Sequence, residues 1–312
     1  MPKANRKNTF LDQVKSRGYM SGNDVTWTGE NVPDHIYKWM VDMALMEIDH
    51  DIPPSALLSE CIVAGGCVGN DFILAKNRDR KYTPSIAIIR KLSKRGIEIV
   101  LMHDKTSGFV EGMNEYGIGV VNSTLLNVDD SDKKSGYNKK QGNIVHRALC
   151  CRTLQDAVDI ICYHKGGLEG HTIVSDGNKM YHIEHARNQL PHILELDPYS
   201  KFSVHTNHGV KYPDSGFEVK DGNNYISSKI RKAIAEVELQ SCSDEKDIFK
   251  TLRSQNFSPE SNYNMHRRVA PEAGLSTSSQ LVMNLPQRVF SFHNYPSHCN
   301  FCGIQDLSLI HI

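Results

Sequence analysis

From Cys61 onward the chain alternates short apolar runs with tight polar turns, and this pairing of neighbouring strands limits its possible folds more than any other feature. Residues 61–66 and 71–77 flank Gly69-Asn70. Residues 85–93 and 96–103 flank Lys94-Arg95. Residues 171–175 and 179–186 flank Asp176-Gly177, a strong hairpin dipeptide. Residues 117–125 and 202–207 read as further strands, and 278–285 with 287–293 as a hairpin that closes the chain. Helical periodicity falls elsewhere. It spans 33–48, with Asp34 as cap and Pro53-Pro54 as stop. It resumes after Thr153, where Asp156 completes a capping signature, and again over 225–238 and 243–254. Residues 127–143 read as a long polar loop, a solvated connection or a lid. Hairpins with helices grouped between them predict antiparallel sheets covered by helices, an α+β fold rather than βαβ units. Neither GxGxxG nor GxxxxGK[ST] occurs, so a nucleotide fold has no support.

Charge narrows the partners. Lys+Arg and Asp+Glu both number 36 in 312 residues, and this neutral balance gives no argument for a nucleic-acid or membrane-surface partner. The first residues are basic and polar with no apolar stretch behind them, so no secretory signal is expected. No run is long and apolar enough for a membrane span, and the simplest expectation is a cytoplasmic protein. Most of the eight cysteines are expected to be reduced, buried thiols. Cys299 and Cys302 form a CxxC without a second pair, so no metal and no organic cofactor is expected.

Four stretches stand out chemically. Cys61-Ile-Val-Ala opens the first hairpin, which ends in Asn77-Arg78-Asp79. Next comes Gly112-Met-Asn-Glu-Tyr-Gly-Ile-Gly-Val-Val-Asn122. The third is His205-Thr-Asn207-His208. The fourth is Tyr263-Asn-Met-His-Arg267-Arg268, followed by Ser276-Thr-Ser-Ser-Gln280. Each has an ordinary reading too. Cys61 could be a small core residue, Asp79 a surface ion pair, Asn207 a turn residue, and His205 and His208 structural. Cys67 competes with Cys61, but Cys61 lies eighteen residues before Asp79, and Cys67 only ten before Asn77.

In order and spacing these motifs resemble the acyl-coenzyme A:6-aminopenicillanic acid acyltransferase family of N-terminal-nucleophile (Ntn) hydrolases. More distant relatives are choloylglycine hydrolase, penicillin V acylase and acid ceramidase. The resemblance runs from Cys61 nearly to the end. It implies a four-layer αββα sandwich of two stacked antiparallel sheets. It also implies a division into a propeptide or small subunit, 1–60, and a catalytic domain, 61–312, which can persist as a heterodimer of self-cleaved fragments. Such an enzyme cleaves a linear non-peptide amide through a thioester, or passes the acyl group to an amine. Its partner is a small-molecule substrate.

A cysteine at a free N-terminus carries its own base, since an α-amine titrates at about 7.7–8.0. By resemblance, Cys61 attacks the Glu60 carbonyl, and hydrolysis of that thioester exposes it. Asp79 would hold the amine and Arg78 would favour the thiolate. Asn207 would point its amide at the oxyanion. Arg267, with Arg268 as its competitor, would orient the nucleophile or bind a substrate carboxylate. Asn122 and Asn77 would contact substrate. The rival reading is an uncleaved, inactive relative that binds an acylated molecule or a protein. Ile62, where relatives have threonine, and Glu60, where several have a small residue, favour it.

Overall fold

The computed structural model describes residues 59–80, 84–125, 137–215, 223–258, 261–268, 275–294 and 308–311. The expected helix at 33–48, most of the proposed propeptide, the first part of the polar loop and the Cys299/Cys302 pair lie outside the described residues.

The first hairpin forms as its sequence predicts. β1 (Ser59–Val68) and β2 (Asp71–Arg80) pair over their whole length, and the turn between them uses Gly69 at φ +60. β2 pairs on its other side with β11 (Ser276–Asn284), which continues through β12 (Val289–Asn294) to β13 (Ser308–His311). The short β10 (Ser203–His205) borders β1. This first sheet therefore runs β10-β1-β2-β11-β12-β13 and places Cys61 on an interior strand.

The second sheet follows chain order: β3 (Ile86–Leu92), β4 (Glu98–Asp104), β5 (Phe109–Asn114), β6 (Gly119–Ser123), β7 (Gly170–Ser175), β8 (Met180–His185) and β9 (His192–Leu196). Every neighbouring pair in both sheets is antiparallel.

Three separate apolar cores define four layers. Between the sheets, Val63, Leu74, Met283 and Phe290 of the first meet Val100, Met113, Val121 and Ile173 of the second. The outer face of the second sheet is covered by α1 (Tyr137–Leu149) and α2 (Leu154–Tyr163). They contribute Ile144, Val145, Ala148 and Leu149, then Leu154, Ala157, Val158 and Ile161. These spacings put the apolar residues of each helix on one face. The Thr153 hydroxyl accepts from the Asp156 amide, capping α2 as expected. The outer face of the first sheet is covered by α3 (Asn223–Glu238) and α4 (Glu245–Leu252), through Ala235, Ile248, Phe249 and Leu252. The layers are αββα, as the resemblance implies.

Four local expectations are corrected. β5 was not expected, because Glu111 and Gly112 interrupt its apolar pattern. β9 was not expected either: it is an edge strand whose side chains are half exposed. The last seven residues of the supposed polar loop, 137–143, open α1, whose aliphatic residues come only in its second half. The hairpin of β11 and β12 does not close the chain, since β13 extends the sheet beyond it.

Gly112 sits where β5 crowds β4. A Cβ there would lie 2.2 Å from the Val100 carbonyl oxygen and 2.8 Å from Leu101 Cα. Both obstacles are backbone and cannot rotate away. Gly112→Ala is expected to lower stability by about 1–3 kcal/mol, read as a lower urea midpoint with unchanged slope.

Candidate active site

Successive residues of a strand point to opposite faces, so β1 serves two environments at once. Cys61 lies directly across from Arg78, and Val63 across from Lys76. Val63 belongs to the core between the sheets, so Cys61, Lys76 and Arg78 share the inter-sheet face. Glu60 lies across from Asp79 and faces the α3/α4 layer, as Ile62 and Ala64 do.

On the helix side four charges close on one another. Arg231 donates to Glu60 Oε2 at 2.6 Å and to Asp79 Oδ2 at 3.1 Å. Arg267 donates to Glu60 Oε2 at 2.8 Å and lies 3.6 Å from Asp79 Oδ2. The Thr277 hydroxyl donates to Asp79 Oδ1 at 2.7 Å. Ser227 receives Arg267 at 2.6 Å and Arg231 at 3.3 Å, tying both guanidiniums to α3. All four charged side chains are buried. Burial, then the nearby Arg267, pulls the Arg231 guanidinium below its ordinary value, while Glu60 and Asp79 oppose the shift.

On the inter-sheet side a second charged group lies beside the thiol. Lys76 and Arg78 each pair with Glu111 of β5, and Lys76 also donates to the Asn122 carbonyl at 2.6 Å. Arg78 and Arg80 reach Asp104 at 3.5 and 3.4 Å. Burial lowers the Lys76 ammonium against the opposing pull of Cys61 and Glu111. For Glu111 burial acts upward, but Arg78 and Lys76 outweigh it and hold the carboxyl below its usual range. Arg78 Nε and Nη1 are both buried without a hydrogen-bond partner among the described residues, Nη1 lying 3.5 Å from Asp104, on the face Arg78 shares with Cys61.

The Cys61 amide N–H donates to Asn207 Oδ1 at 2.9 Å, and Asn207 Nδ2 donates to the Thr124 carbonyl at 2.8 Å. The two partners fix the orientation of the side-chain amide: an N–H demands the oxygen, and a carbonyl demands the nitrogen. The side-chain oxygen of Asn207 therefore faces the Glu60–Cys61 peptide, and its nitrogen faces away. Ser228 holds the Asn207 backbone at 3.0 Å, and the Ser123 hydroxyl donates to the Thr206 carbonyl.

Behind Asn207, His171, His182 and His205 bring ring nitrogens within 4.8 Å of one another. Their planes lie 12–21° apart, and the His182 and His205 centroids are 3.5 Å apart. His182 and His205 stack face to face, and His171 meets His182 edge to edge, so the group joins the two sheets. His171 Nε2–H donates to the His208 carbonyl at 2.8 Å, so its Nδ1 accepts from His182 Nε2 at 3.1 Å.

The structure thus gathers Cys61, Arg78, Asp79, Asn207 and Arg267 around one peptide bond. Arg268 is exposed. Asp79 and Asn207 are both buried, and Asn207 lies in a bend two residues past the end of β10. The Asn122 side chain donates to Thr172 at 2.9 Å and to the Glu169 carbonyl at 3.2 Å. Asn77 donates to the Leu252 and Met265 carbonyls and accepts from Gln280, on the helix side. Contact of either with substrate would require exchanging these bonds. Sequence reasoning missed Arg231, Glu111, Asp104 and Lys76. Only the cations at 76, 78 and 80, alternating along a strand, left a readable signal.

Two stacked antiparallel sheets between helix layers, with these polar groups at an interior strand, define an Ntn-hydrolase sandwich. The chain belongs to the acyl-coenzyme A:6-aminopenicillanic acid acyl-transferase family, whose model matches residues 67–272. Cys61 lies just before the matched stretch. Among solved structures, the chain is similar to a conjugated bile acid hydrolase from Clostridium perfringens. That match has 12% identity and a TM-score of 0.47, and covers 81% of this chain and 92% of that one. A second structure of that hydrolase gives 13%, 0.43, 80% and 92%. Penicillin V acylase from Agrobacterium tumefaciens gives 14%, 0.41, 76% and 84%. No curated protein matches the chain. No helix of the described residues is long and apolar enough to cross a membrane.

The buried histidines set a pH dependence. Burial, then His171, lowers His208 to about 4, and burial lowers His103 and His266 to about 4 and, with His171, His182 to about 2. Folded values below the ordinary 6.5 mean that the unfolded chain binds protons first. Stability is therefore complete above pH 6.5 and falls as pH drops toward 4. Urea midpoints measured from pH 7 to 4.5 are expected to fall steadily. His182→Phe, which keeps an aromatic ring in the stack, should make that fall shallower.

Proposed function

We propose that the chain is a self-processing cysteine amidohydrolase or acyltransferase of the Ntn type, with Cys61 as nucleophile. The observation that carries this reading is the Glu60–Cys61 peptide. Its N–H is held by Asn207 and its Glu60 side chain by two arginines, while the adjoining thiol shares a face with Arg78. A cysteine that served only to pack a strand would need none of these.

In this reading the thiol adds to the Glu60 carbonyl. The C–N bond breaks, the thiol proton passes to the departing nitrogen, and a thioester forms. Water then hydrolyses it, freeing a chain that ends at Glu60 and leaving an α-amine on Cys61. In each later turnover that amine takes the thiol proton, the thiolate attacks a linear amide, and the leaving amine receives the proton. Water resolves the acyl-enzyme in hydrolysis; a second amine resolves it in acyl transfer.

Asn207 Oδ1, already bonded to the scissile nitrogen, is proposed to hold the new amine, with Asp79 as the carboxylate beside it. Arg78 is proposed to steady the thiolate. An oxyanion role for Asn207 requires Nδ2 to leave the Thr124 carbonyl. Asn122 remains a candidate for substrate contact because its carbonyl sits on Lys76. Asn77 is proposed to hold the opposite face.

The test is intact mass under denaturing conditions. Wild type is expected to appear as two chains, one ending at Glu60 and one starting at Cys61, with Cys61→Ala whole. Asn207→Leu should slow cleavage by about 10²-fold or more. A single uncut wild-type mass, with Cys61 unreactive toward an electrophilic probe, would sink the enzyme reading in favour of a binding protein on this fold.

A further inference from the structure

We propose that Arg231 and Arg267 form the carboxylate-binding part of the acyl site, and that the substrate is an amide of a glutarate-length dicarboxylic acid. This rests on the reading of Cys61 as a self-exposing nucleophile.

The argument begins with what fills the site before cleavage. Glu60 Oε2 accepts from Arg231 at 2.6 Å and from Arg267 at 2.8 Å, and the side chain is 1% exposed. Two guanidiniums converging on one carboxylate oxygen make a strong, directional anion site. Neither arginine is loosely held. Arg231 is fixed by Ser227 and Asp79, and Arg267 by Ser227 and the Asn262 carbonyl. The donors are set before any ligand arrives.

Self-cleavage and turnover use the same thiol on the same kind of carbonyl. The first acyl-enzyme this protein makes is the thioester of Glu60 itself. Its acyl group would occupy the acyl site, and in the uncut chain its side-chain carboxylate already lies on the two arginines. Between the reacting carbonyl of Glu60 and its carboxylate lie three carbons, Cα, Cβ and Cγ. A substrate acyl group that repeats this placement is glutaryl or a glutamyl derivative.

Charge points the same way. In the uncut chain two guanidiniums face two carboxylates. Departure of Glu60 leaves Asp79 alone with both, in a place closed to water, where an uncompensated charge is costly. Arg267 Nη1 makes no hydrogen bond among the described residues and has only a 3.6 Å contact with Asp79, so it could donate to an incoming carboxylate. An incoming acyl carboxylate restores the balance that Glu60 maintained.

The experiment uses self-cleaved wild-type protein and follows alkylation of Cys61 by iodoacetamide, a neutral reagent. Glutaric acid monoamide is expected to slow labelling saturably, by roughly tenfold or more, at concentrations where pentanamide, of the same length without the carboxylate, has no effect. The monoamides of succinic and adipic acid should protect less. Arg231→Gln should erase the difference between glutaric monoamide and pentanamide. The wild-type comparison stands alone if that variant does not fold. Equal protection by the two amides, or none by either, on protein whose mass shows an N-terminal Cys61 overturns this inference and leaves the nucleophile reading standing. Protein that stays uncut overturns both.

Discussion

Glu60, Asp79, Arg231 and Arg267 are closed off from water together, and this dictates how the parts around Cys61 fit. The two carboxylates come from facing positions on β1 and β2, one arginine from α3, and the other from the segment that leads into β11. Breaking one buried ion pair costs about 3–5 kcal/mol, far more than a surface pair contributes. Helix α3 therefore cannot slide along the sheet without stranding a charge. Its Ser227 and Ser228 carry that fixity onward, one to both guanidiniums and the other to the Asn207 backbone. The same contacts that dock the helix thus place the side chain facing the Glu60–Cys61 peptide.

The opposite face of β1 obeys a different rule. Most of the layer between the sheets is apolar, but around Cys61 it turns charged, with Lys76, Arg78 and Arg80 set against Glu111 and Asp104. Because strand residues alternate, one hairpin supplies both groups: Lys76, Arg78 and Arg80 to one side, Asp79 to the other. A one-residue slip of β2 against β1 would send every one of these charges into the wrong layer. Full pairing of the hairpin is thus a condition of the proposed chemistry as well as of the fold.

The hairpins were legible in the sequence because turn dipeptides and apolar runs report directly on pairing. β5 was not, for a reason that belongs to the site. Glu111 breaks its pattern, and Glu111 is there because two buried cations need it. Arg231 was hidden in a similar way. The buried face of its helix reads Ser227, Ser228, Arg231, which looks like a solvated face until it is docked. The choice between Arg267 and Arg268 is also three-dimensional: one guanidinium is buried among carboxylates and its neighbour is exposed. For Asn207 the position was legible but the direction of the amide was not, since only the two partners decide which end faces the peptide.

The charge count also bears on how the proposed amine can act as a base. Once Glu60 has left, a protonated amine would join two guanidiniums against the single carboxylate of Asp79. The neutral amine would be favoured there, and the neutral form is the one able to take the thiol proton. An acyl carboxylate arriving on the arginines adds back a negative charge and makes that proton easier to hold. Substrate binding would then prepare the base at the moment it is needed. After the acyl product leaves, the returning positive excess would favour release of the proton, so one anion site would serve both recognition of the acyl group and the timing of proton transfer.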